Sequence, residues 1–237
     1  RAMSRTGIVA GLLARDLFLS LSGTAPVAAA ATFGLIAFEY GMDQAQFFTV
    51  AGLGTAAICL LTVQLLAARA NRAWLYPVLA RLPRREELLA AVVVSSLAIT
   101  GLLATAIAAG NLAAGRLTLS LPSALWLLPT WFALWLLTAT LGLPLAALTS
   151  RGGSHLVLWA LFAALLIAND QKSRLPALAD RLLSAVLWPV STLLSRASGA
   201  IHDLAYWIAL VAVLTYALLL FLLAARLLRH RDLLWAE

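Results

Sequence analysis

Ionisable side chains are scarce in this chain, and their densest group stands in one stretch. The stretch ARANRAWLYPVLARLPRREELLAA, residues 68–91, carries Arg69, Arg72, Arg81, Arg84 and Arg85, then Glu86 and Glu87, between two long runs of Leu, Ala and Val. Trp74, Leu75, Tyr76, Val78 and Leu79 lie among the arginines, and such side chains are costly to leave exposed on a free linker. Pro77 fits the first turn of a short helix or a break between two, and Pro83 forces a stop. Glu86 and Glu87 then fall where carboxylates favour a helix N-terminus. Arginines gather in the cytoplasmic loops of many multi-span proteins, but the aromatic and aliphatic content asks for more. An apolar face beside a basic face on a short helix suits docking into a groove on a cytoplasmic partner.

The other reactive residue types are isolated. Cys59 is the single cysteine and lies deep in an apolar run, so no intrachain disulfide can form. It reads as a small buried hydrophobe. His155 and His202 are expected on opposite sides of a membrane and so cannot share a site, and His230 falls in the basic C-terminal tail. The apolar runs hold Gln64, Ser95, Ser96 and several threonines, with no charge near a midplane. An intramembrane enzyme needs ionisable or nucleophilic groups facing one another there, and neither G-x-S-x-G nor H-E-x-x-H occurs. An ion-coupled transporter usually carries acidic residues or broken helices at mid-membrane; Glu39, beside Tyr40 and Gly41, falls at a helix end instead. No G-x-x-x-x-G-K-[ST] occurs, so the chain has no phosphate-cradling loop of that kind.

The elements that must position these residues follow from composition. Hydrophobic residues make up 63% of the 237 and charged ones 11%, against about 25% charged in a soluble domain. Uncharged apolar runs of about 20 residues read as bilayer-spanning helices. They recur along the whole sequence, so a cleaved leader does not account for them. The net charge of +7 comes from basic residues next to the runs, where topology and anionic headgroups explain them without nucleic acid. The expected fold is an all-α polytopic membrane protein, one transmembrane domain over residues 1–237. Spans are expected over 24–42, 46–68, 88–110, 121–149, 154–168 and 204–226. The fourth contains Pro122, Pro129 and Pro144 and should tilt or kink.

Three further segments complete the expected layout. In residues 1–22, Ile8, Val9, Leu12, Leu13, Leu17 and Phe18 recur at near-helical spacing, interrupted by Arg5, Arg15 and Asp16. That pattern describes a helix along the interface. Residues 71–85 form the short cytoplasmic helix. Residues 172–198 repeat leucine and valine at three- and four-residue steps, with Pro189 after Trp188. They read as two short amphipathic helices dipping into the outer leaflet and returning, or as one interfacial helix lying flat. With the N-terminus cytoplasmic, twelve of the 17 basic residues lie inside and five outside, placing both termini in the cytoplasm.

This layout resembles the ABC-2 type permeases, the membrane subunits of one class of ATP-binding-cassette exporter. The local resemblance lies in VLARLPRREELLAA, residues 78–91, where Leu79, Pro83, Arg84, Arg85, Glu87, Leu88 and Leu89 match the family's Leu-rich coupling helix, proline, basic residues and Glu-Leu-Leu entry into the third span. Family members often begin that helix with Gly-Thr-Leu-Glu, where this chain has Trp74, Leu75, Tyr76 and Pro77. The spacing after Pro83 is also one residue shorter.

The resemblance implies an inner-membrane exporter subunit that holds no cofactor itself, with ATP and Mg on a separate cytoplasmic ABC ATPase. It also implies a second permease copy or a related permease. Arg72, Trp74, Leu75, Val78, Leu79 and Arg81 are the expected ATPase contacts, with Arg151 a lesser one. Phe33, Phe47, Phe48, Trp131 and Trp135 are candidates for a path taking an amphipathic or lipid-like substrate, although membrane aromatics more often pack or sit at headgroup depth. The alternatives are a membrane scaffold subunit without transport and a small ion-coupled transporter.

Overall fold

A computed structural model describes residues 2–40, 43–71, 85–117, 121–149, 177–199 and 201–229. Among them the regular structure is entirely helical: α1 (Ala2–Phe18), α2 (Thr24–Tyr40), α3 (Gln44–Ala70), α4 (Glu86–Ala113), α5 (Leu121–Gly142), α6 (Ala177–Ser198) and α7 (Leu204–Arg229), plus a 3-10 turn at Leu21–Gly23. Five segments among the described residues are long and apolar enough to cross a membrane: Leu21–Glu39, Gln44–Ala70, Glu86–Ala113, Leu125–Gly142 and Leu204–Arg229. The expected span at 154–168 lies outside the described residues, as does residue 84 and everything back to 72 in the expected coupling helix.

Local chemistry sets the helix ends. Asp43 caps α3 by accepting from the Gln46 backbone N–H at 2.7 Å, while Gln46 returns its side-chain oxygen to the Asp43 N–H. This reciprocal arrangement satisfies two donors that a helix start leaves open. Asp203 does the same for α7, accepting from the Tyr206 N–H at 3.0 Å. Pro26 sits in the first turn of α2, where its missing N–H costs nothing.

The fourth span is shorter than its apolar run. Helix α5 passes through Pro129 without ending, then stops at Gly142; turns carry the chain on to Thr149. Gly142 and Pro144 are the stop signal, because proline disfavours helix in the residue before it. The segment ending at 198 also differs from the two-helix reading. Helix α6 is continuous from Ala177 to Ser198, with Pro189 inside it and buried.

Helix α3 is the axis of the bundle. Of its most apolar window 67% is buried, against 33% for α7 and 22% for the first span. It packs on α4 and α5 most extensively and touches α1, α2 and α6 as well. Its bonds to α5 run in register: the Trp131 indole donates to the Phe48 carbonyl at one end, and the Gln64 amide to the Gly142 carbonyl at 2.8 Å towards the other. The two helices are therefore parallel. We call the end where α3 stops and α4 starts proximal, and the opposite end distal.

Helix α1 buries Val9, Leu13 and Leu17 and leaves Ile8, Leu12 and Phe18 exposed. Its packing partners are α4 and α3, and the Ser95 hydroxyl reaches across to the Ala10 carbonyl at 2.9 Å. A sharp corner then leads into α2. The Ser20 hydroxyl donates to the Leu17 carbonyl at 2.6 Å, and a Cβ at Gly23 would meet that carbonyl oxygen at 2.3 Å. The obstacle is backbone, so Gly23→Ala must open the corner. A loss of about 2–3 kcal/mol is expected, as for other overpacked sites, read as a lower melting temperature of the purified protein. An unchanged melting point would mean that the corner is loose.

Candidate functional site

The sequence-expected site residues fall into two groups. Arg72, Trp74, Leu75, Val78, Leu79, Arg81 and Arg151 lie outside the described residues. The five aromatic candidates are all described, and the structure brings four of them together in the seam between α3 and α5. Phe47, Phe48 and Trp131 are at most 2% exposed and Trp135 is 8% exposed. The Phe47 and Trp131 rings are 5.6 Å apart, and the Trp131 and Trp135 rings 6.0 Å. Phe33 stands apart on α2, half-buried, with its ring over Gly54.

The seam's polar atoms satisfy one another. Trp135 donates its indole N–H to the Thr55 hydroxyl at 2.9 Å, and Thr55 passes its own proton to the Ala51 carbonyl at 2.7 Å. Beside them the Cys59 thiol donates to the Trp135 carbonyl at 3.4 Å. The Trp131 indole can reach the Phe48 carbonyl at 3.2 Å because Gly52 lies beneath it; a Cβ there would stand 3.0 Å from the ring nitrogen. Small residues let helices approach in this way, and each interhelical hydrogen bond adds about 0.6 kcal/mol or somewhat more. The geometry describes a tight, self-satisfied joint.

At the proximal end two ion pairs flank the 72–84 connection. On its entry side Arg69, in the last turn of α3, is 7% exposed. Its guanidinium pairs with the Asp16 carboxylate of α1, donates to the Asp16 carbonyl at 3.1 Å, and donates to the Ser22 hydroxyl at 3.0 Å. A planar, five-donor group is suited to such a three-acceptor corner. On the exit side Glu86, in the first turn of α4, pairs with Arg229 in the last turn of α7. In the sequence Arg69 belongs to the charged stretch and Asp16 interrupts an apolar stripe, and neither position points to the other. No local pattern marks these pairs, since the partners are 53 and 143 residues apart.

A third cluster closes the distal end. The His202 ring stacks on Trp126 at 3.8 Å between centroids, and Tyr206 and Trp207 pack edge-on around Trp126. The Tyr206 and Thr130 hydroxyls are 3.0 Å apart, which ties α7 to α5.

The fold and these sites define a class: among the described residues, an all-helical protein with five membrane-length apolar helices and ion pairs at both ends, Asp16–Arg69 and Glu86–Arg229 proximal and Arg196–Asp203 distal. Compared with protein-family models, with characterised proteins and with solved structures, the chain shows no significant match.

Proposed function

We propose that this chain is the membrane-spanning permease subunit of an ABC-2 type exporter. It moves an amphipathic or lipid-like substrate, using ATP hydrolysed on a separate cytoplasmic ATPase. The proximal end faces the cytoplasm, by the excess of basic residues there. The single observation that carries the reading is the pair of ion-paired corners on either side of the 72–84 connection. Arg69 fixes the helix leading into the connection to α1, and Glu86, in the helix leading out of it, meets α7 more loosely through its exposed pair with Arg229. A push on the connection is thereby delivered to α3 and α1 together, which is what a mechanical two-state coupling needs.

Other features agree with this reading. Helix α1 has one apolar face on the protein and another exposed, which suits a helix lying in the membrane interface. Helix α6 packs along α3, α5 and α7 and serves as the outer segment of the permease, entering the bundle rather than lying flat on it. The enclosed aromatic rings of the α3–α5 seam argue against a path through one subunit, and favour one between two permease copies. The test is to express the chain with candidate ABC ATPases from its own genome and isolate it in mild detergent. A stoichiometric ATPase is the expected companion. Isolation of the intact chain with no nucleotide-binding partner would leave the scaffold reading in its place.

A further inference from the structure

Helices α3, α5 and α6 do not close completely on one another; a cavity of about 390 Å³ separates them. The connections fix which end of it is which. Helix α7 begins at the distal end, where His202 and Tyr206 meet Trp126 and Thr130. The turn before it therefore holds Ser198 distally, and Leu187 lies deeper by about 16 Å at 1.5 Å per residue. Hydroxyls are densest distally, with Thr49, Ser195 and Ser198; the deeper lining is mainly aliphatic, with Leu137, Leu141, Leu187 and Val190, and its hydroxyls, Thr138 and Ser191, donate to the Leu134 and Trp188 carbonyls of their own helices. Among the described residues none of the lining side chains is charged.

The hydroxyl protons are already committed. Thr49 donates to the Ala45 carbonyl, Ser195 to Thr192 and Ser198 to Ser195, at 3.0–3.2 Å. What these side chains still offer is lone pairs, so the matching ligand group is a hydrogen-bond donor. The volume falls at the low end of small-molecule pockets, about 300–1,000 Å³, which accommodates one hydrocarbon chain rather than two. We propose that this cavity binds a single-chain amphipath, its uncharged hydroxyl or amide head among Thr49, Ser195 and Ser198 and its tail against the leucines of α5 and α6. The inference deepens the amphipathic-substrate part of the reading above and rests on it, while binding itself needs no ATPase.

The test uses the full chain in phosphatidylcholine nanodiscs and hexadecanol carrying a diazirine near its methyl end. Photolabelling is expected on α5 around Leu137 and Leu141 and on α6 around Leu187 and Val190. Free hexadecanol should compete about tenfold better than hexadecyl sulfate or hexadecyltrimethylammonium, a difference of about 1.4 kcal/mol. Ser191→Phe, which fills the cavity, should cut labelling by a similar factor. Ile208→Phe, on the exposed face of α7, should not. The milder Thr49→Val/Ser195→Ala pair removes acceptors without changing shape much and should abolish the preference for the alcohol. It keeps the proposal testable if Ser191→Phe does not fold. Labelling spread over the exposed face of α7 and indifferent to both changes would mean surrounding lipid only and would overturn the site. Equal competition by the charged amphipaths would overturn the uncharged head. Labelling as expected in a chain that recruits no ATPase would leave the site standing and remove the permease reading.

Discussion

With Trp74 and Leu79 both replaced by Ala, the chain is expected to reach the membrane in normal amount and to leave its ATPase behind. Insertion depends on the apolar spans and the flanking basic residues, none of which the double change touches. Docking depends on a few anchors, and large side chains at the centre of an interface each cost about 2 kcal/mol or more when truncated. Two such losses weaken binding by about three orders of magnitude. The readouts are the ratio of ATPase to permease after co-purification and the stimulation of ATP hydrolysis by reconstituted permease. A double variant that retains both would remove Trp74 and Leu79 from the interface. The proposal would then lose its docking anchors, and the ion-paired corners would have no partner's motion to transmit.

The second large effect is expected at the proximal corner. Asp16→Ala leaves the Arg69 guanidinium, whose side chain is only 9% exposed, with the Ser22 hydroxyl and a backbone carbonyl as its acceptors. Removing one partner of a buried pair costs about 3–5 kcal/mol because the survivor stays uncompensated. The Asp16 side chain is 28% exposed, so water can reach what Arg69→Ala leaves behind, and that variant should lose less. Arg229→Ala is the contrast: its side chain is 68% exposed, and exposed pairs contribute about 0–1 kcal/mol. Thermal unfolding in detergent should rank the three as Asp16→Ala, then Arg69→Ala, then Arg229→Ala. Three equal shifts would mean that the α1 corner is no better held than the surface pair, and that α1 is not clamped to the last turn of α3.

The spans were legible because their signal is local and redundant. Twenty apolar residues with no charge read the same whatever packs around them, so the all-helical fold with several membrane-length helices was open to reading from the sequence. The runs misled where apolarity outlasted the helix. Leu143 to Leu148 continue the hydrophobic stretch, yet Gly142 and Pro144 end α5. In α6 the proline taken as a break is absorbed into one helix and buried, because packing against neighbours can offset the bond it removes.

Side-chain roles were much less legible. An indole at position 131 can line a path, mark a headgroup layer or fill a seam, and its neighbours in sequence are the same in all three cases. Gly52 on another helix made the difference by letting the ring sit against the backbone of α3. Cys59 was read as a buried small side chain and is one, but that it donates to the Trp135 carbonyl depends on the register of α3 against α5.

The sequence by itself determined that this is a many-helix chain built for an apolar surround, where its helices run, and which connection concentrates charge. All of these depend on residues within a turn or two of each other, or on composition summed along a run. Only the tertiary structure decided that Arg69 belongs to Asp16, that Glu86 belongs to Arg229, that the aromatic residues of α3 and α5 pack together, and that α6 leaves a hydroxyl-ended cavity beside them. Those pairings join groups from distant parts of the chain. Between apolar helices many alignments bury similar area, so a few buried polar bonds and glycine notches select one.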